Sequence, residues 1–126
     1  MRFFFVGLGG ALGAIARYAL GTWITQTLGP DFPWGTFIVN ASGAFLIGVV
    51  LGLSEGGTLS ADARLFLAVG VLGGYTTFST FTYETLGLIR DGNIGAALLN
   101  ALGQLILGLV AVYLGLVLSR ALGGAR

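Results

Sequence analysis

Four long apolar stretches, separated by three short polar turns, constrain the fold of this chain more than any other feature. Each stretch is long enough to cross a bilayer, which takes about 20 predominantly apolar residues. Hydrocarbon offers no water to backbone amides, so a single segment that crosses it must be helical. The sequence therefore predicts an all-α membrane protein whose residues 1–126 form one domain of four transmembrane helices, with approximate spans 3–28, 33–53, 63–90 and 94–122.

Composition supports a membrane location and argues against catalysis. Only 9% of the residues are charged, whereas soluble domains carry about 25%. The chain has no histidine and no cysteine, so the commonest general base and every thiolate metal ligand are missing. A net charge of +1 gives no reason to expect a nucleic-acid partner. We therefore expect a multi-pass protein of the cell (inner or plasma) membrane, embedded in the lipid bilayer, that is not an enzyme.

The amino-terminal stretch also has features of a secretory signal peptide. Arg2, the apolar run that follows it and Ala14-Ile15-Ala16 match the parts of such a peptide and its cleavage site. Hydrophobicity continues past Arg17 to Leu28, however, which is far enough to span a bilayer. We therefore expect an uncleaved first helix.

The distribution of arginines indicates an orientation in the membrane. Four helices place both termini on one side of the membrane, and most of the arginines near helix ends lie on that side. Basic residues are enriched in cytoplasmic loops, so this bias favours cytoplasmic termini. The arginines on that side are Arg2, Arg64, Arg120 and Arg126, and Arg90 lies on the other side.

The third stretch stops resembling an ordinary membrane helix between Gly70 and Thr85, where it reads GVLGGYTTFSTFTYET. Gly73-Gly74 weakens the helix, because a glycine costs about 1 kcal/mol relative to alanine in a helix interior. Six serine and threonine side chains follow the glycines. Irregular backbone at membrane depth is tolerated only where it is buried in protein or lines a cavity. We therefore predict that the third helix is broken near its middle, at Gly73-Gly74, and that the break is the functional site.

A broken helix offers two opposite electrostatic sites. Its first half ends in unpaired carbonyls, which suit a hard cation such as Na⁺, and its second half begins with unpaired N–H groups, which suit an anion. Four helices enclose little beyond their own side chains, so an ion pathway is expected to need two or more subunits. If two copies met antiparallel, their breaks would lie near the two-fold axis and could share one cation.

Arg17 and Asn40 are polar residues inside apolar stretches, and each has two open interpretations. Arg17 is deep enough in the first stretch to be a functional group that concentrates anions, or it reaches the far interface from a tilted helix. Asn40 is either a donor aimed at an anion or a partner in an interhelical hydrogen bond. An unsatisfied buried amide costs about 1–3 kcal/mol, so Asn40 is expected to have partners.

Phe78 and Phe81 are three residues apart and therefore share a helix face. Such a pair is usually simple packing, but this one follows the glycines and alternates with Thr77, Ser79 and Thr80. Aromatic ring edges carry partial positive charge. The pair would therefore suit a small anion in a site that holds no formal cation.

Two glycine pairs have the GxxxG spacing that lets helices approach closely in lipid. They are Gly9 with Gly13 and Gly48 with Gly52. Spacing alone does not decide whether these faces pack within one chain or between subunits, so both interpretations stay open.

Polar residues near the ends of the third and fourth stretches are also open to two interpretations. Asn100, Gln104 and Gly108 lie one helical turn apart, either along a water-lined track or in interhelical contacts. Glu84 lies near the membrane exit, where a carboxylate in a wet vestibule is a simpler interpretation than a proton relay. No function is assigned to these side chains from the sequence.

Three blocks of the sequence resemble the signature blocks of the Fluc (CrcB) fluoride channels. They are GGALGAIARY at Gly9–Tyr18, GTFIVNASGAFLIG at Gly35–Gly48 and GVLGGYTTFSTFTYE at Gly70–Glu84. The length and the four spans are similar as well, so the resemblance covers nearly the whole chain. It implies a fluoride-selective channel that exports toxic fluoride passively. It also implies an antiparallel, dual-topology homodimer with two narrow pores at its interface.

The resemblance further implies roles for individual residues. It implies a structural Na⁺ at the dimer axis, held by the backbone carbonyls of Gly73 and Thr76. The fourth-helix track of the family is rich in hydroxyls, whereas this chain has Asn100 and Gln104 there, which departs from the family pattern. The resemblance assigns the fluoride pathway to Asn40, Phe78, Phe81, Thr77, Ser79, Thr80 and Arg17.

Two other functions compete with a fluoride channel. A small multidrug-type transporter is also a four-helix, dual-topology protein, but it needs a membrane-embedded carboxylate, typically in the first helix. That helix holds Arg17 and no acid in this chain. A non-conducting assembly subunit would use its GxxxG faces to dock a partner and would move no ion.

Overall fold

The computed structural model describes residues 1–124 and consists of helices joined by short turns. Helix α1 is Arg2–Leu28 and helix α2 is Trp34–Glu55. The last helix, α5, is Ile94–Ser119 and continues as a π-helical turn over Arg120–Gly124. It begins at Asn93, whose Oδ1 accepts a hydrogen bond from the Ala96 N–H.

The third segment is interrupted and divides into two helices. Its first part begins at Ala61–Arg64, becomes π-helical over Leu65–Leu72 and ends with Gly73–Tyr75, and we call residues 61–75 helix α3. Its second part, helix α4, is Phe78–Arg90. Ser60 caps the start of α3 by accepting a hydrogen bond from the Ala63 N–H.

Within residues 1–124, four helical segments are long and apolar enough to cross a membrane, counting α3 and α4 as one: Arg2–Leu28, Trp34–Glu55, Ala61–Arg90 and Ile94–Gly123. This confirms the predicted number of spans and the all-α class. The outward face of α5 is apolar, with Leu105 60% and Leu109 65% exposed. A surface of this kind is expected of an integral membrane protein.

The helices pack as two parallel pairs, α1 with α3 and α2 with α5. Glycines lie at the contact within each pair. A Cβ on Gly9 would meet the Gly70 backbone of α3 at 2.9 Å, and one on Gly13 would meet the Tyr75 backbone at the same distance. The faces of α2 and α5 meet in the same way, since a Cβ on Gly48 would collide with the backbone of Val112.

The packing of the two GxxxG pairs is therefore intramolecular. Gly9 and Gly13 bring α1 against α3, and Gly48 and Gly52 bring α2 against α5. Close backbone approach of this kind is how helices associate in lipid, where apolar side chains gain nothing by leaving the hydrocarbon.

The interruption of the third helix is confirmed, but its predicted position at Gly73-Gly74 was wrong. Gly73 has helical dihedral angles (φ −64°, ψ −36°). The extended residues are Thr76 (φ −83°, ψ 155°) and Thr77 (φ −146°, ψ 117°). Gly74 is required for packing against α1, because a Cβ there would collide with the Gly10 carbonyl, whereas a Cβ on Gly73 would meet only the Ala68 carbonyl at 3.9 Å.

The topology places the starts of α1 and α3 and the end of α5 at one end of the bundle, together with Arg2, Arg64 and Arg120. The end of α4, with Arg90, lies at the other. Arg126, which contributed to the predicted arginine bias, lies outside the described residues.

Candidate functional site

The break between α3 and α4 redirects two backbone N–H groups away from their helical acceptors. In an unbroken helix, the Thr77 N–H would bond to the Gly73 carbonyl and the Thr80 N–H to the Thr76 carbonyl. The Thr77 N–H instead donates to Asn40 Oδ1 (2.8 Å), and the Thr80 N–H donates to Thr77 Oγ1 (3.3 Å). The carbonyls of Gly73 and Thr76 therefore lose the donors that a continuous helix would give them.

Asn40 on α2 satisfies the extended backbone at the break. Its Oδ1 accepts from the Thr77 N–H, and its Nδ2 donates to the Thr77 carbonyl (2.9 Å). The same Nδ2 also donates to Gln104 Oε1 (2.8 Å). A carboxamide has two N–H donors, and both are engaged here. Of the two interpretations of Asn40, the structure shows the interhelical hydrogen bond. In this arrangement Asn40 has no free N–H to donate to an anion.

A chain of side-chain hydrogen bonds extends from Asn40 across α5 to α4. Gln104 Nε2 donates to Asn100 Oδ1 (2.9 Å), and Asn100 Nδ2 donates to Thr85 Oγ1 (2.8 Å). The Thr85 hydroxyl then donates to the Phe81 carbonyl (2.8 Å). Asn100 and Gln104 are thus engaged in interhelical bonds, and Asn100 is fully buried.

Backbone groups at both ends of this series of hydrogen bonds determine which atom donates and which accepts at each step. The Thr77 N–H can only donate, so the atom of Asn40 that faces it must be the oxygen. The Phe81 carbonyl can only accept, so the Thr85 hydroxyl must donate to it. The two amides between them then have one consistent orientation, which settles the choice between the oxygen and nitrogen of each amide.

Arg17 points into the bundle rather than toward the far interface. Its Nε donates to the Gly74 carbonyl at 3.1 Å, and its side chain is half-buried. In an unbroken helix this carbonyl would accept from the Phe78 N–H, so Arg17 uses an acceptor that the break has released. The structure therefore contradicts the interpretation in which Arg17 reaches the far interface, and its effect on anions stays a prediction.

A cavity of about 360 Å³ lies between α1, α2 and α4, and we call it the arginine cavity. Thr36 Oγ1 donates to Glu84 Oε1 (2.9 Å) on its wall, and Glu84 Oε2 is buried without a hydrogen-bond partner among residues 1–124. The polar groups that line it include Arg17, Thr36, Thr77, Thr80 and Glu84.

A second cavity of about 380 Å³ lies between α2, the break and α5, and we call it the phenylalanine cavity. The ring centroids of Phe78 and Phe81 are 5.8 Å apart and the ring planes make an angle of 55°. None of the described residues that line this cavity is charged. Its polar and aromatic lining residues are Asn40, Thr76, Thr77, Phe78, Phe81 and Gln104.

Thr77 lines both cavities and therefore connects the two groups of predicted pathway residues. Asn40, Phe78 and Phe81 lie with it at the phenylalanine cavity, and Arg17 and Thr80 lie with it at the arginine cavity. Ser79 is exposed and lines neither of them. The predicted residues are thus brought together at the break, except for Ser79.

Two residues of the third segment, one beside the break and one within α4, received no role from the sequence. Tyr75 is buried, and its hydroxyl lies 2.8 Å from Ser42 Oγ on α2. Thr85 connects Asn100 to the backbone of α4. The sequence signal for Thr85 was indirect: a deeply placed Asn100 needs a partner, and hydroxyls were available on the preceding helix.

Comparison with known proteins agrees with these features. The family model described as "CrcB-like protein, Camphor Resistance (CrcB)" matches residues 4–116. A protein of Thermus thermophilus, named fluoride-specific ion channel FluC, is 58% identical over 123 residues, which cover 98% of this chain and 97% of that protein. A protein of the same name from a second strain of Thermus thermophilus is 57% identical, with 98% of each chain covered.

A more distant relative gives the same result. A protein of Acidobacterium capsulatum with the same name is 49% identical over 118 residues, which cover 93% of this chain and 94% of that protein. These names describe ion channels, which confirms the prediction that the chain is not an enzyme. Matches of this length and identity confirm the resemblance inferred from the three sequence blocks, and the chain belongs to the CrcB family.

Proposed function

We propose that this chain is a fluoride-selective channel that exports fluoride passively and so relieves fluoride toxicity. The names of its relatives support this proposal. The observation that carries it is the phenylalanine cavity, where two tilted phenylalanine rings face a space lined by no charged residue among those described. Ring edges and amide or hydroxyl protons can stabilise a small anion there without holding it as firmly as an ion pair would.

Fluoride is small and strongly hydrated, so a pathway has to replace its water with other donors. Gln104 Nε2 uses one N–H for Asn100, and its second N–H has no partner within residues 1–124. The Thr80 hydroxyl accepts from Thr77, which leaves the Thr80 proton available on the side of the arginine cavity. With the edges of Phe78 and Phe81, these groups provide donors on both sides of Thr77.

In this pathway Arg17 concentrates anions at the arginine cavity while it supports the break. Its positive charge raises the local anion concentration, and its Nε holds the Gly74 carbonyl. Asn40 supports the opposite side of the break through the Thr77 backbone. Ser79, which lines neither cavity, is assigned to the pathway on the family motif alone, and a second copy of the chain would have to bring it there.

The proposed channel is an antiparallel, dual-topology homodimer in the cell membrane, with two pores at its interface. Phe78 is 77% exposed and Gly73 is also exposed, although both lie at the break in the middle of a membrane span. Extended backbone and a polar cavity at this depth cannot face lipid. A second copy that covers this surface would turn the open phenylalanine cavity into a closed passage.

The proposal includes a structural Na⁺ held by the backbone carbonyls of Gly73 and Thr76. Both carbonyls are released from helical bonding, and carbonyl oxygen is a suitable ligand for a hard monovalent cation. Two carbonyls are few for such an ion, so the same pair from a second copy would complete the site. When bound, the ion would neutralise the partial negative charge of four carbonyls and join the two chains.

The direct test is fluoride efflux from proteoliposomes that contain the purified chain. We expect fluoride to leave much faster than from protein-free vesicles, and chloride to leave no faster than from them. Efflux driven only by a proton gradient would indicate a transporter instead. The absence of any protein-dependent ion flux would contradict the channel and favour the assembly subunit.

A further inference from the structure

The parallel packing of α1 and α3 brings two arginines together at one end of the bundle, far from the proposed ion pathway. Gly9 on α1 lies against Gly70 on α3, a separation of about 61 residues along the chain. Continuing this register toward the starts of both helices places Arg2 beside residue 63. Arg2 and Arg64 accordingly line one cleft of about 560 Å³.

The rim of this cleft is positively charged. Arg2 and Arg64 are both at least partly exposed, and the hydroxyl-bearing Ser54 from the end of α2 lines the same cleft. The acids at this end of the bundle, Glu55 and Asp62, are exposed and do not line it. Two guanidinium groups and a hydroxyl can together hold a phosphodiester, because the planar guanidinium forms two parallel hydrogen bonds to phosphate oxygens.

The cleft becomes apolar toward the middle of the membrane. Beyond Arg64 along α3, the cleft is lined by Leu65 and Val69. Val69 lies five residues beyond Arg64, which is about one turn deeper along this π-helical part of α3, and it is 52% exposed. A ligand that fills the cleft therefore needs an anionic head at the boundary and a hydrocarbon part below it.

We propose that this cleft binds an anionic phospholipid, with the phosphate between Arg2 and Arg64 and the start of an acyl chain on Leu65 and Val69. A free phosphate would use the rim alone and leave the apolar part of the cleft uncovered, so the lining favours a lipid. The bound lipid would link the first turns of α1 and α3. These helices also hold the Arg17–Gly74 hydrogen bond, at the end of α3.

The test is native mass spectrometry of the full-length protein in detergent with added phosphatidylglycerol, compared with phosphatidylcholine. We expect phosphatidylglycerol to bind more tightly, and Arg2→Gln and Arg64→Gln each to weaken it about fivefold, the size expected for one basic side chain at an anionic membrane surface. Arg120→Gln is the matched control, because Arg120 lies at the same end and does not line the cleft. Arg90→Gln, at the opposite end, should also bind normally.

A second variant separates a lipid from a free phosphate. Val69→Trp fills the apolar part of the cleft and leaves both arginines in place, so it should weaken phosphatidylglycerol binding. Inorganic phosphate should not displace the lipid from the native protein at comparable concentration. Equal binding of the two lipids, an equal loss in Arg120→Gln, no effect of Val69→Trp, or displacement by phosphate would each overturn the proposal. A circular dichroism spectrum of each variant confirms that it is folded.

Discussion

The carboxamide of Asn40 forms two hydrogen bonds with the backbone of Thr77, accepting from its N–H (2.8 Å) and donating to its carbonyl (2.9 Å). One side chain thus replaces the two helical partners that Thr77 loses at the break. At membrane depth no water is available to do this, so the interruption of the third helix depends on a residue 37 positions earlier in the chain. Asn40 is therefore the side chain that satisfies the backbone of Thr77 at the break.

Asn40→Asp is expected to abolish fluoride efflux and to destabilise the fold. A carboxylate keeps the acceptor for the Thr77 N–H but places negative charge against the Thr77 carbonyl and Gln104 Oε1, both of which have lost a donor. Leaving such groups unsatisfied costs about 1–3 kcal/mol each. The measurements are proteoliposome efflux and the thermal unfolding midpoint in detergent.

Asn93→Asp is the matched control for this substitution. Asn93 caps α5 through Oδ1, which accepts from the Ala96 N–H. Aspartate caps a helix about as well and its charge is favourable at a helix N-terminus. This variant should keep its efflux and unfolding midpoint. Normal conduction and stability in Asn40→Asp would remove Asn40 from both its structural and its functional role.

Phe78→Ile and Phe81→Ile should each slow fluoride efflux by about tenfold, which corresponds to about 1.4 kcal/mol lost at the barrier. Isoleucine keeps the apolar volume but has no ring edge with partial positive charge. Phe78 is 77% exposed in the single chain, so its replacement should cost the fold little. Efflux is measured at equal reconstituted protein, with folding checked by size-exclusion profile.

Phe3→Ile controls for a general effect of losing an aromatic ring. Phe3 is 94% exposed near the start of α1 and lines neither the arginine nor the phenylalanine cavity. Its efflux should equal that of the native protein. Native rates in both Phe78→Ile and Phe81→Ile would rule out a role for the ring edges in stabilising the ion.

Hydropathy was enough to predict the four spans, because the bilayer imposes length and apolar composition on each one separately. The position of the break required information from elsewhere in the chain. Local propensity favours Gly73-Gly74, but Gly10 of α1 approaches Gly74 so closely that glycine is needed at Gly74 for packing. The break moves to Thr76 and Thr77 because capping groups exist there, namely Thr77 Oγ1 and Asn40.

The candidate site could also be predicted only in part, because some of its features are local in the sequence and others depend on distant residues. The residue types of the break and the phenylalanine pair are local features, and the structure brings most of them together. The partners of the buried amides are not local, since Asn40 and Gln104 are 64 positions apart. The sequence indicates that Asn100 and Gln104 need hydrogen-bond partners, but it does not identify those partners. Their roles therefore stayed open until the structure showed which helices face each other.

Gln104→Met is expected to lower the free energy of unfolding by about 1–3 kcal/mol, although methionine has nearly the same shape. The substitution leaves one N–H of Asn40 and the Oδ1 of Asn100 without their partners. The measurement is the unfolding midpoint in detergent. Ile106→Met is the control, because Ile106 is 59% exposed on α5. Its unfolding midpoint should equal that of the native protein.

A double-mutant cycle tests whether the amides act as a connected chain. Gln104→Met combined with Asn100→Leu should show a coupling energy of about 0.5–3 kcal/mol, because the two residues share a hydrogen bond. Additive effects of the two substitutions on the free energy of unfolding would show that Asn100 and Gln104 are not energetically coupled.

Arg17→Gln should slow fluoride efflux most at low ionic strength, and Arg17→Lys should restore part of the rate. Glutamine removes the charge that concentrates anions, an effect that salt screens over about 10 Å at 0.1 M. Lysine keeps the charge but lacks the Nε–H that binds the Gly74 carbonyl. Efflux is measured across a range of salt concentrations, with Arg90→Gln as the control. A rate that is independent of salt in both native protein and Arg17→Gln would contradict the electrostatic role.

Replacing Na⁺ with a large organic cation throughout purification should weaken the association of two copies and lower fluoride efflux. Without a cation, the carbonyls of Gly73 and Thr76 from both chains would repel one another across the proposed axis. Association is followed by size-exclusion chromatography, and re-adding Na⁺ should restore it. Unchanged assembly and efflux in the absence of Na⁺ would contradict the cation site.

Thr76→Val decides whether backbone or side chain holds this ion. Thr76 Oγ1 already donates to the Leu72 carbonyl (2.8 Å), so the hydroxyl is engaged within α3. Valine keeps the backbone carbonyl and nearly the same shape, and the dependence of assembly on Na⁺ should therefore persist. If Thr76→Val assembled equally well with and without Na⁺ while the native protein required it, the ligand would be the hydroxyl, and the released carbonyl would have no part in binding.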